Sequence, residues 1–300
     1  MASKTIDRIV PPFVITDGSR FRLRNVDPKG PNESSLPRDK AAELLRETVA
    51  RLAELQTRLY AENRWGVLLI FQAMDAGGKD GVIKHVLSGV DPQGCEVSSF
   101  KAPSAEELDH DFLWRTTRRV PERGRIGVFN RSYYEEVLIV RVHPKLLNFQ
   151  KLPSAVVTKR IWRERFEDIN AFELHMARSG YLIRKFFLHI SKEEQRQRFL
   201  KRLQQPEKRW KFAIADVDER QRWGDYMKAY EDMIRQTSTP HAPWIVVPAD
   251  RKWYARCVVA SALVDGLDSL NLQFPKIDAG KRRELERVRE ALEAERRGRS

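Results

Sequence analysis

Lys79 and Asp75, set four residues apart around the pair Gly77-Gly78, are the residues of this chain whose types and spacing suggest chemistry first. They lie in Val67–His85, VLLIFQAMDAGGKDGVIKH. An apolar run suited to a strand buried on both faces leads into a glycine-bearing turn, and the turn leads into a helix. In that context backbone N–H groups of the turn and the helix start point at an anion, and the lysine adds a point charge. Against the pattern GxxxxGK[ST], Ala73 stands where the first glycine would be, and Asp80 where a Ser/Thr hydroxyl would hold magnesium. Asp75 offers a hard oxygen ligand of the kind magnesium accepts, so the metal role is expected there. Ala76, Gly77, Gly78, Lys79, Asp80, Gly81 and Lys84 form the expected phosphate-binding set, with Lys79 exposed when nothing is bound. The plain alternative is a tight turn between strand and helix that carries a surface lysine.

A second cluster follows the apolar stretch Ile126–Phe129, read as a strand: Asn130-Arg131-Ser132-Tyr133-Tyr134-Glu135-Glu136. Ligands of open α/β sheets sit beyond the carboxyl ends of the strands, so this cluster is expected to face the phosphate loop. A magnesium-organising acid would be usual at the strand end, and this chain has Asn130 there. Arg131 is suited to steadying a transferring phosphoryl group, and Glu135 and Glu136 to a metal or a nucleotide hydroxyl. Acids that merely favour a helix N-terminus would look the same.

The third cluster is cationic. Between Arg196 and Lys211 stand seven basic residues, Arg196, Arg198, Lys201, Arg202, Lys208, Arg209 and Lys211, against the single acid Glu207. Pro206 breaks the helix, which makes residues 192–215 a candidate lid that brings cations over the site and shuts out water. A solvated helix face is the competing reading.

These clusters need a scaffold, and the rest of the chain supplies one. Leu44, Leu45, Val49, Leu52, Leu55 and Leu59 mark the apolar face of a helix from about Leu36 to Asn63. Strands are expected over Gly94–Phe100, Ile126–Phe129, Tyr181–Ile190 and Trp244–Pro248, in addition to the one before the phosphate loop. Helices are expected from Ser104 through Trp114, from Ser154 to about Ser179, over Asp216–Gln236 and over Tyr254–Leu270. Alternating strands and helices argue for a five-stranded parallel sheet flanked by helices. Residues 1–36 read as an irregular surface arm without chemistry of its own, residues 37–275 as one domain, and residues 276–300 as a charged tail, frayed or disordered. A net charge of +13 calls for a polyanionic partner. Two cysteines cannot build a disulfide framework, and no apolar run approaches the roughly 20 residues of a membrane span. No signal-peptide core and no zinc spacing are visible, so a cytoplasmic setting is expected.

Four segments, MDAGGKDG (74–81), FKAPSAEELDHDFLWR (100–115), FNRSYYEEVLIVRVHP (129–144) and PWIVVPADRKWYAR (243–256), resemble the polyphosphate kinase 2 family, and the likeness spans about residues 37–270. The resemblance implies a three-layer, thymidylate-kinase-like P-loop fold and magnesium-dependent, reversible transfer of the terminal phosphate of inorganic polyphosphate to a nucleotide. It implies phosphate-loop roles for Asp75 and Lys79 and nucleotide or phosphate contacts for Asn130, Arg131, Glu135 and Glu136. Polyphosphate contacts fall to the lid, here Arg198, Lys201, Arg202, Lys208, Arg209 and Lys211. Asn130 together with Glu135-Glu136 resembles the branch that accepts both AMP and ADP. It implies adenine nucleotides, with guanine as an alternative base, and a homo-oligomer, often a tetramer, without membrane or nucleic-acid partners. Asp75, Lys79 and Arg131 are the expected catalytic residues, with Asp75 on the metal. Two rivals are an ATP-dependent nucleoside monophosphate kinase on the same fold and a nucleic-acid-binding P-loop protein. The latter would use the basic patch beside Trp210 but lacks a helix-turn-helix, RNA-recognition or zinc-finger signature. A third is a catalytically dead scaffold.

Overall fold

The computed structural model describes residues 9–31, 36–212 and 215–297. Its central strand is β2, Gly66–Gln72, in which all seven residues are buried. A run of Val, Leu, Ile and Phe has no polar face to turn to solvent and fits only between two other strands. β2 pairs in parallel with β4 (Ile126–Asn130) on one side, from Val67↔Ile126 to Phe71↔Asn130. On its other side β2 pairs with β5 (Tyr181–His189), from Gly66↔Tyr181 to Gln72↔Phe187. β3 (Cys95–Ser99) lies outside β4, and β6 (Trp244–Pro248) outside β5. The expected five parallel strands are therefore present in the order β3-β4-β2-β5-β6.

The sheet has a sixth strand that sequence reading misses. β1, Val14–Ile15 of the N-terminal arm, pairs antiparallel with Ile245 and Trp244 on the outer edge of β6. The arm is irregular as expected, yet it is no mere surface wrapping. Ile9, Val10, Phe21 and Leu23 are buried in the main core, and Pro28 O accepts the Asp250 amide. A two-residue strand carries too little periodicity to be read in advance.

Helices α1 (Arg38–Glu62), α2 (Lys79–Val86) and α6 (Lys252–Asp268) pack together, as do α3 (Ile161–Arg178) and α5 (Trp223–Thr237). Successive side chains of β5 show that the two groups cover opposite faces of the sheet. Arg184 lies against Gly266 of α6, whereas Lys185 donates to Glu173 of α3. The layers are thus helix, sheet, helix. Lys185 and Glu173 have no exposed side-chain surface and form a buried ion pair of 2.6 Å. Lys185 spends its other protons on the Tyr134 hydroxyl and Thr237 O, while both Tyr133 and Tyr134 hydroxyls donate to Glu173 Oε1. Every charge in this cluster is hydrogen-bonded, which is what makes its burial tolerable.

Three helix expectations are corrected. The segment from Ser104 is capped as expected, with a Ser104–Glu107 capping box, but helix covers only Ala105–Leu108 and resumes at Trp114–Thr117. Asp111 accepts the Leu113 amide and makes a new start there, which breaks the continuous helix. Ser154 opens only a short 3₁₀ turn, and α3 begins at Ile161. The stretch from Asp216 is two helices, Ala215–Gln221 and α5, broken at Arg222. The charged C-terminus contains a helix, α7, at Ala279–Arg297.

Candidate active site

The residues after β2 fold into a tight loop that needs small side chains at several positions. Ala76 takes a left-handed φ of 60° and Gly78 one of 98°, so the chain turns sharply before Lys79 opens α2. Gly77 has no room for a methyl group. A Cβ there would meet Ala73 Cβ at 2.5 Å and Met74 O at 2.7 Å. Ala73 is accommodated in the first-glycine position because Gly77 leaves that space open. The first amides of α2 have no intrahelical acceptor, and they lie where the loop ends.

Lys79 departs from expectation. Its side chain is only 9% exposed, and Nζ donates to Ala73 O at 3.0 Å, within the loop itself. Burial pushes its pKa below that of a free lysine, and the Arg131 charge adds to this. Asp75, Glu135 and Asp80 oppose the shift. A four-carbon stem crossing a tight loop is covered by it, and a motif spelled in letters does not show that.

β4 ends beside this loop because it is the immediate neighbour of β2. The Arg131 amide donates to Phe71 O, and Arg131 itself has a left-handed φ of 65°. That conformation is uncommon for a residue with a side chain and is typical of functional positions. It turns the guanidinium back over the loop, where Nη2 lies 2.8 Å from Asp75 Oδ1. Asn130 Nδ2 donates to Asp80 Oδ1 at 2.8 Å. Both strand-end residues are therefore tied to the two loop aspartates.

Glu135 and Glu136 part company. Glu135 lies close enough to Lys79, Arg131 and Asp75 to share their field, and burial raises its pKa against the pull of Arg131 and Lys79. Glu136 accepts from Gln150 Nε2 with both oxygens, and its charged neighbours are Arg165 and Arg115, with Glu135 the weaker influence. It belongs to a separate polar cluster beside the loop.

The main cleft, about 740 Å³, opens over the carboxyl ends of β2 and β4. It is lined by loop residues 75–81, Asn130 and Arg131, and by Lys201 and Arg202 of α4, Lys192–Gln204. Sequence reading missed Lys101, Lys252 and Arg256, which also line it. Lys101 follows the carboxyl end of β3, and Lys252 and Arg256 sit one turn apart at the start of α6, after β6. The rule that ligands gather at strand ends would have picked out all three. Eight basic side chains against three acidic ones line the cleft, so it is built for a polyanion. Lys252 shows the crowding: burial and then the charges of Arg198 and Lys201 lower its pKa.

Of the remaining expected residues whose side chains are described, Arg198 alone lines the cleft. Lys84 is exposed on α2 and does not line the cleft. Arg209 Nε donates to Leu203 O and also stays outside the lining, while the side chains of Lys208 and Lys211 lie outside the described residues. Arg198, expected as a polyphosphate contact, is only 8% exposed, and its donors go to protein acceptors: Glu194 Oε1 and the carbonyls of Ala76, Gly77, Ala249 and Asp250. It sits in the cleft wall with its donors committed to the protein.

Residues 35–275 match the polyphosphate kinase 2 family. The chain is 57% identical over 251 residues to an ADP-polyphosphate phosphotransferase of Rhodopseudomonas palustris, covering 83% of this chain and 87% of that one. It is 44% identical over 264 residues to an AMP/ADP-polyphosphate phosphotransferase of Meiothermus ruber, covering 88% and 95%. Among solved structures, a polyphosphate kinase 2 from Arthrobacter aurescens superposes with a TM-score of 0.81 at 43% identity, over 90% of this chain and 94% of that one.

Proposed function

The chain belongs to the polyphosphate kinase 2 family, and from that premise we propose that its cleft carries out polyphosphate-dependent nucleotide phosphotransfer, with AMP and ADP as acceptors. The observation that carries this reading is the reach of the cationic lining. Lys101 stands on one side of the loop, and Lys201, Arg202, Lys252 and Arg256 on the other. Cations on both sides of the loop suit a chain bearing about one negative charge per phosphate. Both acceptors are included because a relative named for both matches most of this chain, and because Asn130 stands at the end of β4.

A nucleotide phosphate oxygen attacks the terminal phosphorus of the polyphosphate in line. A new P–O bond forms as the bond to the penultimate phosphate breaks, which leaves polyphosphate one unit shorter. The protein contributes position and charge rather than covalent chemistry. Loop amides and Lys79 hold the donor phosphates, Arg131 stabilises the transferring group, and Glu135 neighbours both cations.

Magnesium is the expected metal. Among the described residues no group of three or more His, Cys, Asp or Glu could hold an ion unaided. Magnesium commonly takes one or two carboxylates and completes its shell with water and substrate phosphates, and Asp75 with Asp80 fits that donor set. When bound, the ion neutralises charge that develops on the phosphoryl oxygens.

Two free cysteines, Cys95 and Cys257, accord with a reducing compartment, and among the described residues no helix is long and apolar enough to cross a membrane. A homo-oligomer belongs to the same reading, and Phe149, Val156 and Val157 carry exposed apolar side chains available for contact.

The test is a donor swap. Protein, magnesium and AMP receive either polyphosphate or ATP, and the nucleotides are separated by chromatography. ADP followed by ATP, formed with polyphosphate alone, is the expected result. Phosphorylation from ATP alone would make the protein an ordinary nucleotide kinase.

A further inference from the structure

Three successive carbonyls of the phosphate loop are held by one helix. Gln195 Nε2 of α4 donates to Asp75 O at 2.9 Å. One turn on, Arg198 Nη1 donates to Ala76 O and to Gly77 O, each at 3.0 Å. Gln195 has no exposed surface and Arg198 almost none, so neither side chain faces the cleft as an open donor. Gln195 is fixed in turn by Arg220, which donates to its Oε1 at 3.0 Å and to Lys192 O at 2.6 Å.

A trans peptide is planar, and its C=O and the following N–H point in opposite directions. Drawing the carbonyls of Asp75, Ala76 and Gly77 toward α4 therefore turns the amides of Ala76, Gly77 and Gly78 away from it. The Gly77 amide is spent on Met74 O, which closes the turn, and those of Ala76 and Gly78 are left to face the opposite side. We infer that Gln195 and Arg198 are positioning residues that set which way the phosphate-loop amides point. In the phosphotransfer reading, on which this role rests, they act on the transferring phosphate only through the loop.

The planar fork of arginine matters here. Nη1 reaches two loop carbonyls while Nη2 reaches Ala249 O and Asp250 O beyond β6, and Nε is held by Glu194 at 2.7 Å. One guanidinium thus ties the loop, α4 and the end of β6 together. Lysine has the charge but not the fork, so it cannot hold the loop carbonyls and the β6 carbonyls together in one plane.

The test compares Arg198→Lys and Gln195→Met with wild type. Both variants should lower kcat by roughly 10- to 100-fold, with KM for nucleotide within about twofold, because the amides are misaimed rather than removed. Arg198→Lys should rescue little relative to Arg198→Ala, and the Gln195→Met/Arg198→Lys double variant should lose no more than the worse single one. A direct polyphosphate ligand would behave otherwise: lysine would keep most of the turnover, and Gln195→Met would be silent. Either result overturns the inference. Hydrogen exchange followed by mass spectrometry decides the same point without activity. The peptide spanning residues 72–84 should exchange faster in both variants, while peptides from β2 and β5 remain as in wild type. Unchanged exchange in 72–84 would refute the positioning role even if the wild-type chain proved inactive toward polyphosphate. That inactivity would count against the proposed function alone.

Discussion

Arg131 and Asp75, 56 residues apart in the chain, are joined by a 2.8 Å ion pair across the mouth of the phosphate loop. The pair puts the expected metal carboxylate and the expected phosphoryl-stabilising cation in direct contact. In the proposed reaction, substrate phosphates replace Asp75 as the anion that Arg131 meets.

Asp75→Asn keeps the shape and the hydrogen-bond acceptor but removes the charge. We expect kcat to fall by roughly 10²- to 10³-fold, with the apparent magnesium requirement shifted to higher concentration. A magnesium titration of initial rates checks this. An unchanged titration midpoint would place the metal elsewhere.

Lys79→Met should abolish turnover without lowering Tm, because it removes a buried ammonium whose pKa burial has already depressed. In the window between that lowered pKa and the ordinary lysine value of 10.5, the unfolded chain binds the proton and the folded chain does not. Wild-type stability therefore rises with pH across this window through Lys79, and Lys79→Met should lack that rise. In wild type, kcat/KM should decline on the alkaline side as Lys79 loses its proton. Thermal melts and rate profiles between neutral and alkaline pH measure both effects.

Replacing Lys201, Lys252 and Arg256 together with alanine should raise KM for long polyphosphate by roughly tenfold, since each exposed cation contributes under about 1 kcal/mol. KM for nucleotide should stay nearly constant. The difference between wild type and variant should shrink as salt is added. Equal shifts in both KM values would mean that these cations do not form a separate track.

Lys185→Met should destabilise the fold by about 3–5 kcal/mol, because it strands Glu173 in the core with only two hydroxyl donors. Adding Glu173→Gln should recover part of that loss. Urea unfolding reads both values, and a single variant as stable as wild type would show that the pair contributes nothing net.

The strands were legible because their apolar runs are short, dense and bounded by turns, and the loop because glycine and lysine at that spacing follow one of them. What escaped reading was whatever depends on tertiary approach. Lys79 spells as a surface cation and is buried by its own loop. Arg198 reads as one of seven basic residues, yet its position on the inner face of α4 spends its donors on carbonyls more than a hundred residues away. Lys185 sits in the run YLIRKFFLHI, where only a Glu173 brought in by α3 makes an inward lysine tolerable. Lys101 and Lys252 are ordinary cations in the sequence until the sheet sets their strand ends on either side of the phosphate loop.

The order of strands around β2 also dictates when the site can exist during synthesis. β2 finds its first parallel neighbour only when β4 has emerged, and its second only with β5, which ends at His189. The carbonyls of Ala249 and Asp250 that complete the Arg198 clamp come later still. Closing such long loops is slow and leaves the apolar face of β2 uncovered meanwhile. A ribosome-bound chain cut short before β6 would therefore carry the whole glycine–lysine motif, with Gln195 and Arg198 to hold it, but without the carbonyls that complete the Arg198 clamp.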